Sequence, residues 1–197
     1  MENITTSSNS IGFVKLTPEF KPFSKIPRLN REIVITEKID GSNASVYIDE
    51  KGDIYAGSRT RWITPGKKTD NYGFASWVED NKVELLKLGP GRHFGEWWGQ
   101  GINRGYGLTE RRFSLFNVER YSDNRPACCG VVPVLYRGLF DGDVIKSALT
   151  SLRTNGSVVV PGWMKPEGIV VFHTAGGHLY KVTCENDEKA KGDTNVQ

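Results

Sequence analysis

The sequence predicts an α+β fold, in which locally paired strands enclose a few helices. Short β-branched and aromatic runs alternate with Asp-Gly and glycine-rich turn signals, as is typical of antiparallel strands. Only two stretches carry apolar residues at helical spacing, and both lie between predicted strands. Such strands pair locally instead of alternating one by one with helices, as a parallel α/β sheet requires.

The first strands surround a lysine at a turn. Residues 32–37 (EIVITE) are β-branched, and Asp40-Gly41 is a turn signal that leads into the alternating run SNASVYID. A second turn at residues 50–53 leads to IYAGSRT. We therefore predict an antiparallel meander with Lys38 at its first corner.

The middle of the chain is predicted to hold a helix and two strands. Residues 72–88 carry apolar side chains at helical spacing. HFGEWWG and RRFSLFNVERY are predicted as strands joined by the glycine-rich GQGINRGYGLTE. Because neighbouring strand residues point to opposite faces, we expect one ring of Trp97 and Trp98 in the core and the other beside a site.

The last part of the chain is predicted to form a strand, a helix and a hairpin. VVPVLYRG is strand-like, and DGDVIKSALTSLRTNG has the clearest helical pattern in the chain. Asp141 or Asp143 can cap this helix and Gly156 can end it. Its predicted apolar face consists of Val144, Ile145, Ala148, Leu149 and Leu152. EGIVVFH, the turn TAGG and HLYKVT then predict a closing hairpin.

The bulk composition fits one intracellular domain. A chain of 197 residues, 38% hydrophobic and 25% charged, suits one core. We expect a flexible N-terminus at residues 1–12, a domain at 13–185 and a polar tail at 186–197. Three cysteines without CxxC spacing fit a reducing cytoplasm, and no apolar run is long enough to cross a bilayer.

A basic segment is a candidate phosphate-binding surface. The net charge of +3 is too mild to indicate a polyanionic partner. SRTRWITPGKK, however, carries Arg59, Arg61, Lys67 and Lys68 around Trp62 with no acid among them. A solvated loop explains such a charge run, whereas the aromatic among the cations favours nucleic-acid binding.

Lys38 is the candidate nucleophile. In EKIDGSN the lysine is held at a strand end beside an Asp-Gly turn, instead of extending from a helix. A lysine amine must lose its proton before it can attack, so a reactive lysine needs a special environment. The pattern K-x-D-G alone is short enough to arise by chance.

EKIDGSN resembles the first motif of the covalent nucleotidyltransferases, which comprise DNA ligases, RNA ligases and mRNA capping enzymes. Further segments resemble the later motifs in the family's order and span residues 37–183: SRT, FGEWWG, FSLFNV, EGIVV and LYKVT. Asn43 stands where DNA ligases and capping enzymes usually have arginine, and FGEWWGQGINRGYG is similar to nick-sealing RNA ligases of phages and kinetoplastid editing. The resemblance is therefore to the RNA ligase branch, as a catalytic module without an OB-fold domain.

The resemblance implies a role for each matching residue. Lys38 would attack the α-phosphorus of ATP, Asp40 would orient that lysine or the ribose, and Lys181 would contact the α-phosphate. Glu167 would stand near the catalytic metal. The implied nucleotide-binding residues are Glu37 near the adenine edge, Ile39, Asn43, Arg59, Glu96 at the ribose, Phe116 stacked on adenine, Glu167 and Lys181.

Simpler interpretations of these residues remain open. Phe116 could be a core residue, and Glu167 could merely begin a strand. Arg59 and Lys181 could be solvated cations. Glu96 is harder to explain as surface, since a carboxylate among aromatics needs a partner. The three histidines lack ligand spacing and are expected to be structural or exposed.

One position departs from the family pattern. The fifth motif usually reads K-x-K in the phage-type ligases, whereas here it reads Lys181-Val182-Thr183. Phosphoryl transfer depends on cations that neutralise developing charge. Arg61, Lys67 or Arg104 could replace the missing lysine; otherwise the first step would be slow, or the protein would act best when already adenylylated.

The expected fold is the nucleotidyltransferase fold (ATP-grasp-like ligase adenylation), with two antiparallel sheets enclosing a nucleotide cleft. The implied activity is ATP-dependent RNA ligation with Mg²⁺ or Mn²⁺. The implied partner is RNA with 5′-phosphate and 3′-hydroxyl ends, as a nicked duplex bound through Arg59, Arg61, Lys67, Lys68 and Arg104, with Arg111 and Arg112 nearby. A partner protein could add RNA binding. The alternatives are a minimal DNA ligase, a guanylyltransferase, and a non-catalytic nucleotide- or RNA-binding module.

Overall fold

A computed structural model of the chain describes residues 19–185 and Asp187, so the predicted N-terminal segment 1–12 and most of the tail lie outside the described residues. The strands in the described part are β1 Glu32–Lys38, β2 Ser42–Ile48, β3 Ile54–Ser58, β4 Trp62–Ile63, β5 Gly91–Gly99, β6 Arg111–Leu115, β7 Cys129–Val131, β8 Val134–Leu139, β9 Gly168–His173 and β10 His178–Thr183. The α-helices there are α1 Phe74–Asp80, α2 Lys82–Leu85, α3 Val118–Tyr121 and α4 Gly142–Asn155.

These strands form two sheets, which confirms the predicted α+β class. A four-stranded antiparallel sheet has the order β10-β9-β1-β8. A six-stranded sheet has the order β4-β3-β2-β5-β6-β7, and its pairs are antiparallel except for the parallel pair β6–β7. The chain passes from the first sheet to the second through Ile39–Gly41 and returns through Val132-Pro133.

The predicted meander is wrong for its first strand. β2 and β3 do form a hairpin, but β1 pairs with β8 and β9 in the other sheet. The Asp-Gly turn signal therefore marks a crossing between sheets, where Ile39 is buried. The partners of β1 are distant in sequence, and local turn patterns do not report such pairings.

Three other predicted elements are interrupted. The helix over 72–88 breaks at Asn81, whose side-chain amide donates to the carbonyl of Trp77 at 2.8 Å. The strand from Arg111 ends at Leu115, and Asn117 then caps α3 by accepting from the backbone N–H of Arg120. The strand predicted over 131–138 breaks at Pro133, which has no N–H to donate.

The second long helix and the closing hairpin are confirmed. Asp141 caps α4 by accepting from the N–H of Asp143 at 2.8 Å, and the chain leaves the helix at Gly156 with a φ of 83°. The predicted apolar face of α4 packs against β1 and β9 of the four-stranded sheet. Strands β9 and β10 form the hairpin predicted from EGIVVFH and HLYKVT.

The two tryptophans of β5 occupy separate cores, and both are buried. Trp97 packs with Phe74 and Phe113 where helices α1 and α2 cover one face of the six-stranded sheet. Trp98 points to the opposite face, into a smaller cluster with Ile39, Tyr106 and Val132. This small cluster contains residues from both crossings, Ile39 and Val132, so it packs the junction between the two sheets next to Lys38.

Candidate active site

Lys38 is the last residue of β1, immediately before the crossing between sheets. Its Nζ donates to Oε2 of Glu167 at 2.6 Å, and both side chains are largely shielded from solvent. Lys38 pairs with Gly168 on β9, which places Glu167 at the adjoining strand end. A Cβ at Gly168 would lie 2.2 Å from the carbonyl oxygen of Val182, so only glycine allows β10 to approach here.

Asp40 anchors the crossing segment to the glycine-rich loop between β5 and β6. Its backbone N–H donates to the hydroxyl of Tyr106 at 2.8 Å, and its Oδ1 accepts from Asn103 at 2.9 Å. Nε of Arg104 lies 2.9 Å from Oδ2 as an ion pair without an aligned hydrogen bond. Asp40 thus fixes the segment after Lys38, which is a positioning role.

Asn103 and Tyr106 were missed by the sequence analysis. Asn103 also donates to the carbonyl of Gly41 at 2.6 Å. Both residues have left-handed backbones, with φ of 43° and 54°, a conformation that costs energy without glycine and is concentrated at functional sites. Burial raises the pKa of Tyr106, so its hydroxyl stays neutral beside Asp40. The available signal was the run GQGINRGYG, which was predicted as a connection and as part of the segment similar to nick-sealing RNA ligases, with no role for either residue.

Glu96 lies across from Asn43 on the face of the six-stranded sheet that is opposite to α1. Its Oε1 accepts from the backbone N–H of Gly41 at 3.1 Å, which is the partner this carboxylate was expected to need. Burial raises its pKa to about 7, against the opposing effects of Lys38 and of the Gly41 N–H. The charges of Glu167 and Asp40 raise it further.

Glu37 faces away from Lys38 because strand residues alternate. Its carboxylate is buried and accepts from Ser157 Oγ at 2.5 Å and from the backbone N–H groups of Val158 and Val159 at 2.8 and 3.0 Å. Through these contacts Glu37 holds residues 157–159 against β1. Its contact with a nucleotide stays a prediction. The buried side chain of Ile39 leaves only its backbone for a ligand.

Phe116 is not a core residue, so that simpler interpretation is wrong. Strand β6 ends one residue earlier, and the Phe116 side chain is 38% exposed. Its backbone N–H donates to the carbonyl of Phe94 at 3.0 Å, so the two residues continue the β5–β6 pairing. Phe116 therefore lies on the same sheet face as Glu96.

Lys181 and Thr183 share the sheet face of Lys38. Thr183 pairs with Gly168, which pairs with Lys38. Lys181 lies two residues before Thr183 on β10, where it pairs with Val170. Lys181 is exposed. The hydroxyl of Thr183 donates to the carbonyl of Glu185 at 2.9 Å. The position that lacks the second lysine of the fifth motif is therefore two strands from the candidate nucleophile, Lys38.

The predicted RNA-binding cations divide into two groups. Arg59, Arg61, Lys67 and Lys68 are exposed around β4, which pairs with β3 through Trp62 and Ile63. The edge strand β4 thus runs through the basic segment, while Lys67 and Lys68 lie in the turns that follow it. The other cations contact protein groups: Arg104 contacts Asp40, Arg111 donates to Tyr72 and Gln100, and Arg112 pairs with Glu110.

The histidines are structural or exposed, as expected. His93 is buried between the hydroxyl of Tyr121 and the carbonyl of Gly89, and burial lowers its pKa. His173 contacts the carbonyl of Leu29 at 2.7 Å, and His178 is exposed.

Within the described residues, no helix is long and apolar enough to span a membrane.

The site fits a divalent cation through its oxygen donors. Glu96 and Glu167 present carboxylates near Lys38, and their mutual repulsion contributes to the raised pKa of Glu96. A bound cation relieves such repulsion, and carboxylate oxygens are the ligands that Mg²⁺ and Mn²⁺ prefer. No cluster of three His, Cys, Asp or Glu side chains suited to a metal occurs in residues 19–185. A cation here would thus need oxygens from a nucleotide or water.

The fold of the chain is similar to that of solved RNA ligase structures. A Naegleria gruberi RNA ligase variant solved with ATP and manganese matches at TM-score 0.61 and 21% identity, covering 80% of this chain and 51% of that chain. Another, with AMP and manganese, matches at TM-score 0.57 and 20% identity, covering 79% and 50%. These likenesses confirm the predicted fold, and the chain spans about half the length of the ligases it matches. Comparison with curated protein sequences gives no match.

The family profile described as RNA ligase matches residues 31–183, which include both sheets, the crossing segments and every candidate active-site residue named above. The chain therefore belongs to the RNA ligase family.

Proposed function

We propose that the protein is an ATP-dependent RNA ligase that forms a lysyl–AMP intermediate on Lys38. The carrying observation is the 2.6 Å contact between Lys38 Nζ and Glu167 at the end of β1. Support also comes from the Naegleria gruberi ligase structures, which hold ATP or AMP with manganese. The cofactors proposed for this chain are accordingly ATP and Mg²⁺ or Mn²⁺.

In the first step, the neutral amine of Lys38 forms a bond to the α-phosphorus of ATP while the bond to the β-phosphate oxygen breaks. Pyrophosphate leaves with that bond's electron pair. Glu167 is close enough to accept the proton that Lys38 must lose. A divalent cation, when bound by Glu167 and phosphate oxygens, would neutralise charge on the phosphates.

The next two steps join RNA. An oxygen of an RNA 5′-phosphate attacks the α-phosphorus and displaces Lys38, which leaves AMP on the RNA. A 3′-hydroxyl then attacks that RNA phosphorus, loses its proton, and displaces AMP. We propose a duplex with a nick in one strand as the substrate, because the complementary strand holds the two ends near each other and raises their effective concentration.

The test is intact mass spectrometry of the protein after incubation with ATP and Mg²⁺. We expect an increase of one AMP, which Lys38→Ala abolishes and which Lys51→Ala, at an exposed lysine of the β2–β3 turn, leaves unchanged. A mass increase of one GMP, with GTP in place of ATP, would favour the guanylyltransferase alternative. Sealing of nicked DNA in preference to nicked RNA would favour the DNA ligase alternative. An adduct that persists in Lys38→Ala overturns the assignment, and no adduct with any nucleotide favours the non-catalytic module.

A further inference from the structure

An aromatic surface with an arginine at its centre lies outside the site described above. It consists of Tyr47, Tyr55, Trp62, Phe94 and Arg92, and we call it the aromatic–arginine face. The ring centroids of Tyr47, Tyr55 and Trp62 are 5.9–6.0 Å apart. The guanidinium carbon of Arg92 lies 4.7 Å from the Trp62 ring centroid, 5.4 Å from that of Tyr47 and 5.9 Å from that of Phe94.

The strand register explains why these side chains share one face. Tyr47 pairs with Tyr55 on β3 and with Arg92 on β5, and directly paired residues of antiparallel strands point the same way. The alternate residues of the same strands, such as Val46, face the core under α1 and α2. Tyr55, Trp62 and Phe94 are each about half exposed, at 45%, 49% and 51%. Packing of the core therefore does not account for these large rings.

The aromatic–arginine face is continuous with the candidate active site. Along β5, Trp98 is buried under the crossing segments, Glu96 contacts Gly41, and Phe94 and Arg92 are exposed. Successive residues on one face of a strand are roughly 6.7 Å apart. Phe94, which also neighbours Phe116, is thus one such step from Glu96, and Arg92 is two steps away.

The charge on the β4 side of the face favours a polyanionic occupant. The exposed basic edge at β4 adjoins Trp62 and holds Arg59, Arg61, Lys67 and Lys68 with no acid among them. Exposed rings combined with cations bind unpaired nucleic acid, because bases stack on the rings while the cations contact phosphates. The acids of the β2–β3 turn, Asp49, Glu50 and Asp53, lie at the end remote from Lys38 and would repel phosphates there.

We propose that the aromatic–arginine face stacks unpaired bases of the RNA strand whose end reacts at Lys38. The proposal rests on the proposed function for the identity of the strand. It names a substrate feature: a few unpaired nucleotides beside the break, which a fully paired nick lacks. Arg92 would hold the rings in place through its cation–π contacts and would also face the RNA backbone.

The test is fluorescence anisotropy of the full chain with a labelled single-stranded RNA and with a blunt RNA duplex, over a salt series. Tyr55→Ala/Trp62→Ala should weaken binding of the single strand at least roughly ten-fold, and Trp62→Phe should retain most of the affinity because it keeps a ring. Arg92→Gln should weaken binding and reduce the slope of log Kd against log salt by about 1. Tyr180→Ala, at an exposed tyrosine of β10, is the control and should bind as wild type does.

Lysyl–AMP formation, measured on the same proteins, separates this proposal from the proposed function. Stacking variants that bind RNA poorly yet still form the adduct support the proposal. Failure of wild type to form the adduct overturns the proposed function and leaves the binding result to be judged alone. Single-strand affinity that is unchanged in Tyr55→Ala/Trp62→Ala overturns the stacking face and points to a protein-docking surface. An equal loss of affinity for the blunt duplex also overturns it, and points to contacts with the RNA backbone instead of stacked bases.

Discussion

Glu96 accepts a hydrogen bond from the backbone N–H of Gly41 at 3.1 Å, and this contact ties β5 to the segment that carries Lys38. Gly41 also packs closely against the next two residues of β5, because a Cβ at Gly41 would lie 2.5 Å from the carbonyl oxygen of Trp97 and 2.7 Å from Cβ of Trp98. The crossing segment after the candidate nucleophile is therefore held close to the strand that carries the ribose-binding candidate.

Gly41→Ala is expected to disrupt that contact. The added methyl group would meet backbone and Cβ atoms that cannot rotate away, so the crossing segment must shift, at a cost of about 1–3 kcal/mol in folding free energy. We expect a lower melting temperature and slower lysyl–AMP formation. Gly142→Ala is the matched control, since a Cβ there meets nothing within 4 Å. Equal behaviour of the two variants would show that the close approach at Gly41 has no consequence.

The raised pKa of Glu96 predicts a pH dependence of stability. In the folded protein this carboxyl keeps its proton up to about pH 7, whereas in the unfolded chain it ionises near its ordinary value of 4.5. Between these values the folded state binds more protons, so the contribution of Glu96 to stability is lost as pH rises from about 4.5 to 7. Glu96→Gln should remove this decline.

Chemical unfolding at several pH values, without nucleotide or metal, measures the effect. His93 acts in the opposite direction, because its lowered pKa favours the folded state as pH rises toward 6.5. The informative quantity is therefore the difference between wild type and Glu96→Gln. Glu79→Gln, at an exposed acid of α1, is the control. A difference between wild type and Glu96→Gln that does not change with pH would contradict the assignment.

Phe116 is predicted to matter for nucleotide binding and little for stability. Removing a buried phenylalanine costs about 3–5 kcal/mol of stability, and an exposed ring costs much less. Loss of stacking on adenine should weaken ATP binding by about 1–3 kcal/mol, which is roughly 5- to 160-fold in Kd. Thermal melts and ATP titrations of Phe116→Ala separate the effects, with Phe172→Ala as a control of similar exposure on β9. A loss of stability without a loss of affinity would contradict the stacking role.

The sequence was sufficient to predict the elements whose causes are local. The cap of α4 at Asp141, its end at Gly156 and the hairpin of β9 and β10 all follow from neighbouring residues. The pairing of β1 with β8 and β9 was not predictable, because it joins strands more than 90 residues apart, as Ile33 and Gly138 show. In the same way, the resemblance located Lys38 and Glu96, but not the contact of Glu37 with Ser157, 120 residues away.

The two residues that position Asp40, Asn103 and Tyr106, could not be predicted from the sequence for a related reason. Asn103 and Tyr106 contribute through backbone conformation and through one hydrogen bond each to the Asp40 side chain or backbone. Neither residue type signals such a role from sequence, and the resemblance of FGEWWGQGINRGYG to RNA ligases covers this loop without assigning a role to either residue. A glycine-rich run between two strands indicates only that the backbone there adopts unusual angles.

The last prediction concerns Thr183, which occupies the place of the second lysine in the fifth motif. Its pairing with Gly168, and that residue's pairing with Lys38, put its side chain on the same sheet face as Lys38, two strand spacings or about 10 Å away. A lysine side chain is long enough to bring its charge toward phosphates bound beside Lys38. We therefore expect Thr183→Lys to speed lysyl–AMP formation by about ten-fold or more, because a cation aimed at developing phosphate charge lowers the barrier.

Single-turnover formation of the AMP adduct measures this rate. Thr183→Met is the matched control for side-chain length without charge, and Thr150→Lys, at an exposed position of α4, controls for the added positive charge. Both should react as wild type does. Asp187 lies close to position 183, since its Oδ1 accepts from the Thr183 N–H at 2.8 Å, and a new lysine could pair with it. Thr183→Lys should therefore be tested with and without Asp187→Asn. An unchanged rate in both backgrounds would mean that another cation already neutralises this phosphate. Lys181, which lies two residues before Thr183 on the same face of β10, would then be the residue to replace.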